Sequence, residues 1–371
     1  MNIGFDGSVL VGPKSGIPNY ALNLLDSLST LMPESTFLVF SPKPINLELP
    51  ANVHTVSPKY LFTHSHTAWL LSYPFTKACR NLDLFISPKG YLPPWLTVPV
   101  LNCVHDFTYL KFPETMTRRG YWTRKLLQKY WIKRARLIVA NSIQTANEIQ
   151  DECFRKADCI VRPAVSDEFS QRSPDAIQKY KCERGLPNDF VLFVGTLEPR
   201  KNIRNLVAAF ERLTREAKYR QLSLVLVGAK GWGRQAEFIE GRLANKLNIV
   251  ALDDVEDWEL PFLYSAARVF VLPSLYEGFG IPLLEARACG TAMVATNLPA
   301  TREAGGPKPY YCQPTIQGIA EGLACVLAEP DRYRDQEKPD WTWISEIDCI
   351  PPLIREQCGQ RSFSHSSTNH H

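Results

Sequence analysis

Residues 269–291, V-F-V-L-P-S-L-Y-E-G-F-G-I-P-L-L-E-A-R-A-C-G-T, leave few choices of local structure. The β-branched and aromatic run at 269–272 carries no polar residue, the pattern of a parallel strand buried on both faces. Pro273 to Gly280 then makes a turn whose two glycines let backbone come close to a ligand. Pro282, with a fixed φ and no amide hydrogen, marks the first helical position. Residues 283–288 are good helix formers, closed by Cys289-Gly290. Strand, glycine turn and helix N-terminus together present free amides and a partial positive charge to an anion. Glu277 lies in the turn and Glu285 on the first helical turn, eight residues apart, so both carboxylates are expected to face one ligand. The amides of Phe279, Gly280 and Ile281 stand at the mouth of this cradle. Phosphate at the helix end and hydroxyls at the carboxylates describe a sugar diphosphate. A plain βα unit with a glycine-rich turn has the same local pattern, so the rest of the chain must decide.

A second block, D-F-V-L-F-V-G-T-L-E-P-R-K-N-I, begins at Asp189. It reads as a strand at 191–194, a tight turn at Gly195-Thr196, and Arg200-Lys201 just before a helix starting near Asn202. A planar guanidinium and a mobile ammonium at a helix start make a diphosphate site. Between the two blocks lie strands at 222–227 and 247–252, the first followed by G-A-K-G-W-G. In the first half, strands at 3–5, 37–40, 54–56, 84–86, 98–104 and 137–141 alternate with helical stretches, which implies a parallel sheet. The loop after the first strand, G-P-K-S-G-I-P-N-Y, places Gly16 before a helix at 19–31. That loop lacks G-x-G-x-x-G, which argues against a dinucleotide site and an NAD-dependent dehydrogenase. His105-Asp106 follows the strand ending at Val104, where a parallel sheet faces its ligand crevice.

E-G-F-G-I-P-L-L-E resembles the E-x7-E signature of the retaining, two-Rossmann-domain glycosyltransferase family 4. P-S-L-Y-E, A-C-G-T, G-T-L-E-P-R-K-N, G-A-K-G-W and V-H-D-F-T-Y-L-K-F-P-E are similar to further family segments, and the likeness runs over roughly residues 3–345. Two positions depart from the usual pattern: Asp253 and Ala164 stand where glycine is common. The resemblance implies a GT-B architecture, two α/β doubly wound Rossmann-like domains facing across a cleft. It implies donor contacts from Gly16, Gly195, Thr196, Arg200, Lys201, Glu277, Phe279, Gly280, Ile281 and Glu285. Within that set Arg200 and Lys201 would hold the diphosphate, Glu277 the transferred sugar and Glu285 the ribose, while His105 would line the sugar site. Retention of configuration and a nucleotide sugar as substrate, with no cofactor and no metal, are implied as well. The variant of these motifs found here resembles mannosyl- and rhamnosyltransferases of surface polysaccharide assembly. GDP-mannose is therefore the expected donor, with a glycan or lipid-linked acceptor, and a UDP- or dTDP-sugar the alternative. A sugar-nucleotide epimerase and a non-catalytic nucleotide-sugar binding protein share the fold and remain rivals.

The expected organisation is an acceptor domain at 1–165, a polar connection at 166–187 and a donor domain at 188–340. A helix at 341–359 would cross back to the first domain, ahead of a disordered tail at 360–371. With 371 residues the chain is long enough for two cores. The start of the chain has no basic-then-apolar signal region and no apolar run of about 18 residues occurs, so a cytosolic protein is expected. Ten cysteines without a C-x-x-C pair are expected to be reduced thiols used as small apolar residues. One segment stands apart. Residues 117–136 hold eight basic residues and no acid, with tyrosines and tryptophans interleaved. As a helix it brings Trp122 and Trp131 near Leu126, Leu127 and Tyr130, flanked by Arg118, Arg119, Arg124, Lys125, Lys129 and Lys133. A solvated helix packed on the first domain, an interfacial helix on an anionic leaflet and a nucleic-acid surface all fit this pattern. The family resemblance favours a peripheral membrane contact over nucleic acid.

Overall fold

The computed structural model describes residues 1–11, 16–56, 81–92, 96–229, 241, 248–335 and 339–366, with side chains to residue 358. The glycine loop at 230–233, with Trp232, lies outside the described residues. The chain divides into two compact units, one of residues 1–107, 122–163 and 341–371, the other of residues 108–121 and 164–340.

The first unit holds a seven-stranded sheet: β1 (Asn2–Asp6), β2 (Thr36–Phe40), β3 (Val53–Val56), β4 (Leu84–Ser87), β5 (Val100–Val104), β6 (Leu137–Ala140) and β7 (Cys159–Ile160). They lie in the order β3-β2-β1-β4-β5-β6-β7, and every pairing is parallel. β4 and β5 are buried along their whole length, the both-faces-covered condition that their apolar runs anticipate. Helix Gly16–Leu31 covers one face through Tyr20, Leu24, Leu25 and Leu28. The last segment of the chain completes this core. Ile347, Ile350 and Ile354, from helices Trp343–Ile347 and Ile350–Ser366, pack into the cluster that contains Ile3 and Phe5. Arg162 fixes the same segment by a forked pair with Glu346 (Nη2 to Oε1 2.6 Å, Nε to Oε2 3.1 Å), and its guanidinium lies 4.4 Å from the Trp341 ring centre. Cys159 and Cys349 form a disulfide, a correction to the expectation of reduced thiols throughout. The partners are 190 residues apart in sequence, so only the return of the chain to β7 brings them together. Residues 360–366, expected in a disordered tail, continue the last helix.

The second unit holds a six-stranded parallel sheet: β8 (Phe190–Val194), β9 (Ser223–Val227), β10 (Ile249–Leu252), β11 (Val269–Leu272), β12 (Met293–Thr296) and β13 (Tyr310–Cys312), in the order β10-β9-β8-β11-β12-β13. The order reverses between β8 and β11, which are hydrogen-bonded neighbours. Ligands of open parallel sheets bind outside the carboxyl ends at such a switch point. The two sequence blocks, 80 residues apart at Gly195 and Leu275, thus emerge side by side. Residues 166–187 are more than a connection. Ser173 caps a helix, Pro174–Arg184, whose first residue is proline and whose cap is Gly185 at φ 62°, all within the second unit.

Candidate active site at the β8–β11 switch point

The loops leaving β8 and β11 are stitched together by hydrogen bonds. Leu275 donates its amide to the Arg200 carbonyl at 2.9 Å. Asn202, held at φ 60°, donates its side-chain amide to the carbonyls of Pro273 and Pro314, each at 3.0 Å. The loop leaving β9 joins them through a contact that only glycine permits. A Cβ on Gly228 would lie 2.3 Å from the Gly195 carbonyl oxygen, and both glycines have φ near +145° (149° and 141°). Gly195 therefore serves two purposes. It turns the chain out of β8 and leaves room beside the Lys201 side chain, 3.6 Å from where its Cβ would be.

On this frame sits a quartet of charges, three of them buried and Arg200 partly so. Glu277 is 5% exposed and accepts at Oε1 from Lys201 Nζ (2.7 Å) and Ser274 Oγ (2.6 Å), and at Oε2 from Arg200 Nη1 (2.9 Å). Arg200 also donates Nη1 to the Tyr276 carbonyl at 2.7 Å and Nη2 to Glu198 at 2.5 Å. Two cations meet two carboxylates, and Glu277 is the hub. Burial alone would push its carboxyl up, but Lys201 and Arg200 outweigh burial and hold it at about 2. Lys201 goes the other way: desolvation lowers its pKa, and the Glu277 charge offsets that only in part. Of the residues expected at the donor site, the structure brings Arg200, Lys201 and Glu277 into contact. That expected set omits Glu198, Ser274 and Asn202, although the E-P-R-K-N run and the P-S-L-Y-E run carry all three.

The helix that follows β11 is Ile281–Ala288, with Gly280 at φ 111° before it. Pro282 is its second residue, and Glu285 lies one turn in, not on the first turn as expected. Among the described residues, the amides of Phe279, Gly280 and Ile281 donate to no recorded acceptor, so they are available to an oxyanion. Phe279 itself is buried, while Thr196 is exposed beside Gly195. Glu285 is half-buried and accepts from the Tyr264 hydroxyl at 2.7 Å. Burial pushes this carboxyl up to about 7; the Tyr264 hydrogen bond opposes the rise and Asp257 adds to it. One helix thus carries a carboxyl half-protonated near neutrality, and the loop before it one that stays ionised. Gly16, also expected at a donor site, is the first residue of helix Gly16–Leu31 in the first unit. Residues 12–15 of its loop lie outside the described residues.

In the first unit, His105 follows β5. Its Nε2 lies 2.6 Å from the Pro88 carbonyl. A carbonyl only accepts, which assigns the hydrogen to Nε2 and leaves Nδ1 as an acceptor for a hydroxyl. Burial lowers the imidazole pKa, so the neutral ring is favoured. The Tyr20 ring meets it edge-on at 4.9 Å. Lys89, Asn102, Arg124 and Gln128 line the same small recess, and Arg124 pairs with Asp106 at 3.3 Å.

The basic segment forms helix Arg118–Arg134. Trp122 (54% exposed), Leu126 (68%), Leu127 (39%) and Tyr130 (55%) line up at helical spacing on its outer face. Trp131 does not belong with them, a correction to the expected patch. It points inward, 7% exposed, and meets Tyr91 edge-on at 4.8 Å in a core cluster with Phe85 and Leu92. Arg124 and Lys129 pair with Asp106 and Glu152; Arg118, Arg119, Lys125 and Lys133 are exposed, with the Lys125 ammonium 5.2 Å from the Trp122 ring centre. Among the described residues no helix is long and apolar enough to cross a membrane.

Comparison with known proteins places the chain in a family and a fold. Residues 178–339 match the family model described as glycosyl transferases group 1. The chain is 31% identical to the O-antigen chain mannosyltransferase B of Escherichia coli over 361 residues, 90% of this chain and 92% of that protein. Among solved structures it is similar to the sucrose-phosphate synthase of Thermosynechococcus elongatus, with a TM-score of 0.72 and 18% identity over 99% of this chain and all of that one. A further neighbour is the HepE protein of Anabaena, solved in complex with UDP-glucose, with a TM-score of 0.67, 19% identity, and coverage of 99% of this chain and 100% of that one. At these identities the two structures speak to the fold alone.

Proposed function

The chain belongs to the group 1 glycosyltransferases, and on that premise we propose that it is a retaining, metal-independent family 4 enzyme that moves mannose from GDP-mannose. The acceptor is a glycan or lipid-linked oligosaccharide of a surface polysaccharide. The observation that carries the reading is the quartet of Glu198, Arg200, Lys201 and Glu277 at the β8–β11 switch point. When the glycosidic bond breaks, negative charge grows on the leaving diphosphate. Arg200 and Lys201, already oriented and largely dry, would stabilise that charge with little reorganisation. They would supply what a divalent cation supplies in other designs. The unpaired amides at 279–281 add to them at the helix end. Glu277 would shift part of its bonding from the cations to a hydroxyl of the sugar as the diphosphate arrives, and Glu285 would accept from the ribose. His105 Nδ1 would accept a sugar or acceptor hydroxyl from the first unit.

Mannose is favoured by the likeness to a mannosyltransferase over nearly the whole chain. A UDP- or dTDP-sugar is the second reading, supported by the UDP-glucose bound to the Anabaena neighbour. The enzyme would work in the cytoplasm, peripherally bound at the membrane face through Trp122, Leu126, Leu127 and Tyr130, with Lys125, Lys133, Arg118 and Arg119 meeting anionic headgroups. Incubation with GDP-mannose, UDP-glucose, UDP-galactose and dTDP-rhamnose, each with lipid-linked glycan acceptors, tests the assignment through nucleoside diphosphate release. Release of GDP with glycan extension is the expected result. Binding without release, or an isomerised free sugar, would overturn it in favour of a binding protein or an epimerase.

A further inference from the structure

Glu285 depends on a partner outside both sequence blocks. Its carboxyl accepts one recorded hydrogen bond, from the Tyr264 hydroxyl to Oε2 at 2.7 Å. Oε1 has no partner among the described residues, and it is not among their fully enclosed polar atoms. One oxygen is therefore held and the other is offered. Tyr264 is itself fixed. It is completely buried in helix Leu260–Ala266, with its ring 5.3 Å from Phe270 of β11, edge-on, and 6.2 Å from Phe169. Its carbonyl accepts from the Thr291 hydroxyl at 2.7 Å. A ring gripped on two sides places its hydroxyl at one spot.

We propose that Tyr264 is a positioning residue for the donor site: its hydroxyl holds Glu285 Oε2 so that Oε1 is presented to a ribose hydroxyl of the nucleotide. The inference rests on the ribose role given above to Glu285. A hydroxyl that donates to a carboxylate also favours the ionised form, which is the form that accepts from a ribose. The groups acting on this carboxyl are Tyr264 and Asp257, with Cys289 close to the Tyr264 hydroxyl. With the carboxyl near 7, about half is ionised at neutral pH. Loss of a hydrogen bond that raises the pKa by roughly one unit leaves about a tenth ionised, so nucleotide affinity falls about five-fold at pH 7 and recovers by pH 9.

The experiment is calorimetric titration of the full-length protein with GDP and with UDP from pH 6 to 9, for wild type, Y264F, E285D and E285Q, with thermal melts to confirm folding. Y264F is expected to weaken binding about five-fold at pH 7 and little at pH 9. E285D leaves the buried ring in place but withdraws the carboxylate from it, so its affinity optimum also moves to higher pH, and it stands in for Y264F should that variant not fold. E285Q should be weak at every pH. An unchanged Y264F pH profile alongside a weak E285Q, or an equal loss at all pH values, overturns the positioning role alone. An E285Q that binds as wild type removes the ribose reading itself.

Discussion

Replacing Glu277 by glutamine tests the charge quartet most directly. The substitution keeps the shape and removes the charge on which three donors converge. The carboxyl is held at about 2 against an ordinary 4.5. That difference corresponds to about 3 kcal/mol of stability, present above pH 4.5 and lost as pH falls toward 2. Removing one partner from a buried ion pair costs about 3–5 kcal/mol by an independent route, and the two figures agree. The lower end of that range applies, because Arg200 retains Glu198 while Lys201 loses its carboxylate partner. At about 2–4 °C per kcal/mol for a unit of this size, E277Q should lower the melting temperature at pH 7 by about 6–12 °C. Added GDP should then restore more stability to the variant than it adds to wild type, since the diphosphate replaces the missing countercharge; at a hundred-fold excess over Kd a ligand adds about 2.7 kcal/mol. Differential scanning calorimetry with and without GDP reads both quantities. An E277Q melt within about 2 °C of wild type would refute the stabilising role of the quartet. A smaller GDP shift in the variant would refute the assignment of these cations to the diphosphate.

Three further outcomes follow. Lys201→Ala should cut turnover by about a hundred- to a thousand-fold while the protein stays folded, because Arg200 still pairs with Glu277; near-normal kcat would remove Lys201 from the reaction. The raised Glu285 carboxyl binds a proton more tightly folded than unfolded, so stability from this group is full below pH 4.5 and falls by about 3 kcal/mol as pH rises to 7. Chemical denaturation of E285Q should show that slope removed, and an identical slope in both proteins would contradict it. Co-sedimentation with phosphatidylserine vesicles should weaken with salt and fall at least ten-fold in W122A/L126A, whereas W131A should act mainly through lost stability; binding indifferent to salt and to W122A/L126A would exclude the helix face.

The parts that could be read in advance are those in which one short segment carries its own physics. The apolar run at 269–272, the glycine turn and the proline-led helix lie where the sequence places them, and so do the strand at Phe190–Val194 and the cations after it. Burial direction was harder to read. Trp131 and Tyr130 are adjacent aromatics on one helix, and only the presence of Tyr91 and Leu92 behind the helix decides which turns inward. Partners were hardest of all. Glu198 and Ser274 lie inside the motif runs, but nothing local shows that Arg200 links Glu198 to Glu277 or that Tyr264 meets Glu285; those partnerships come from the fold. The same holds for Cys159 and Cys349.

The return of the chain to the first unit has a consequence for its synthesis on the ribosome. The core around Ile3 and Phe5 is completed by Ile347, Ile350 and Ile354, and Cys159 waits 190 residues for its partner. At roughly 5–20 residues per second that interval is about 10–40 seconds. The second unit has all its strands in hand before that interval ends. The first unit to be translated is therefore the last to be finished, and a released chain ending near residue 340 would carry every strand of the second unit and a first unit with an open apolar seam, the natural place for a chaperone to sit.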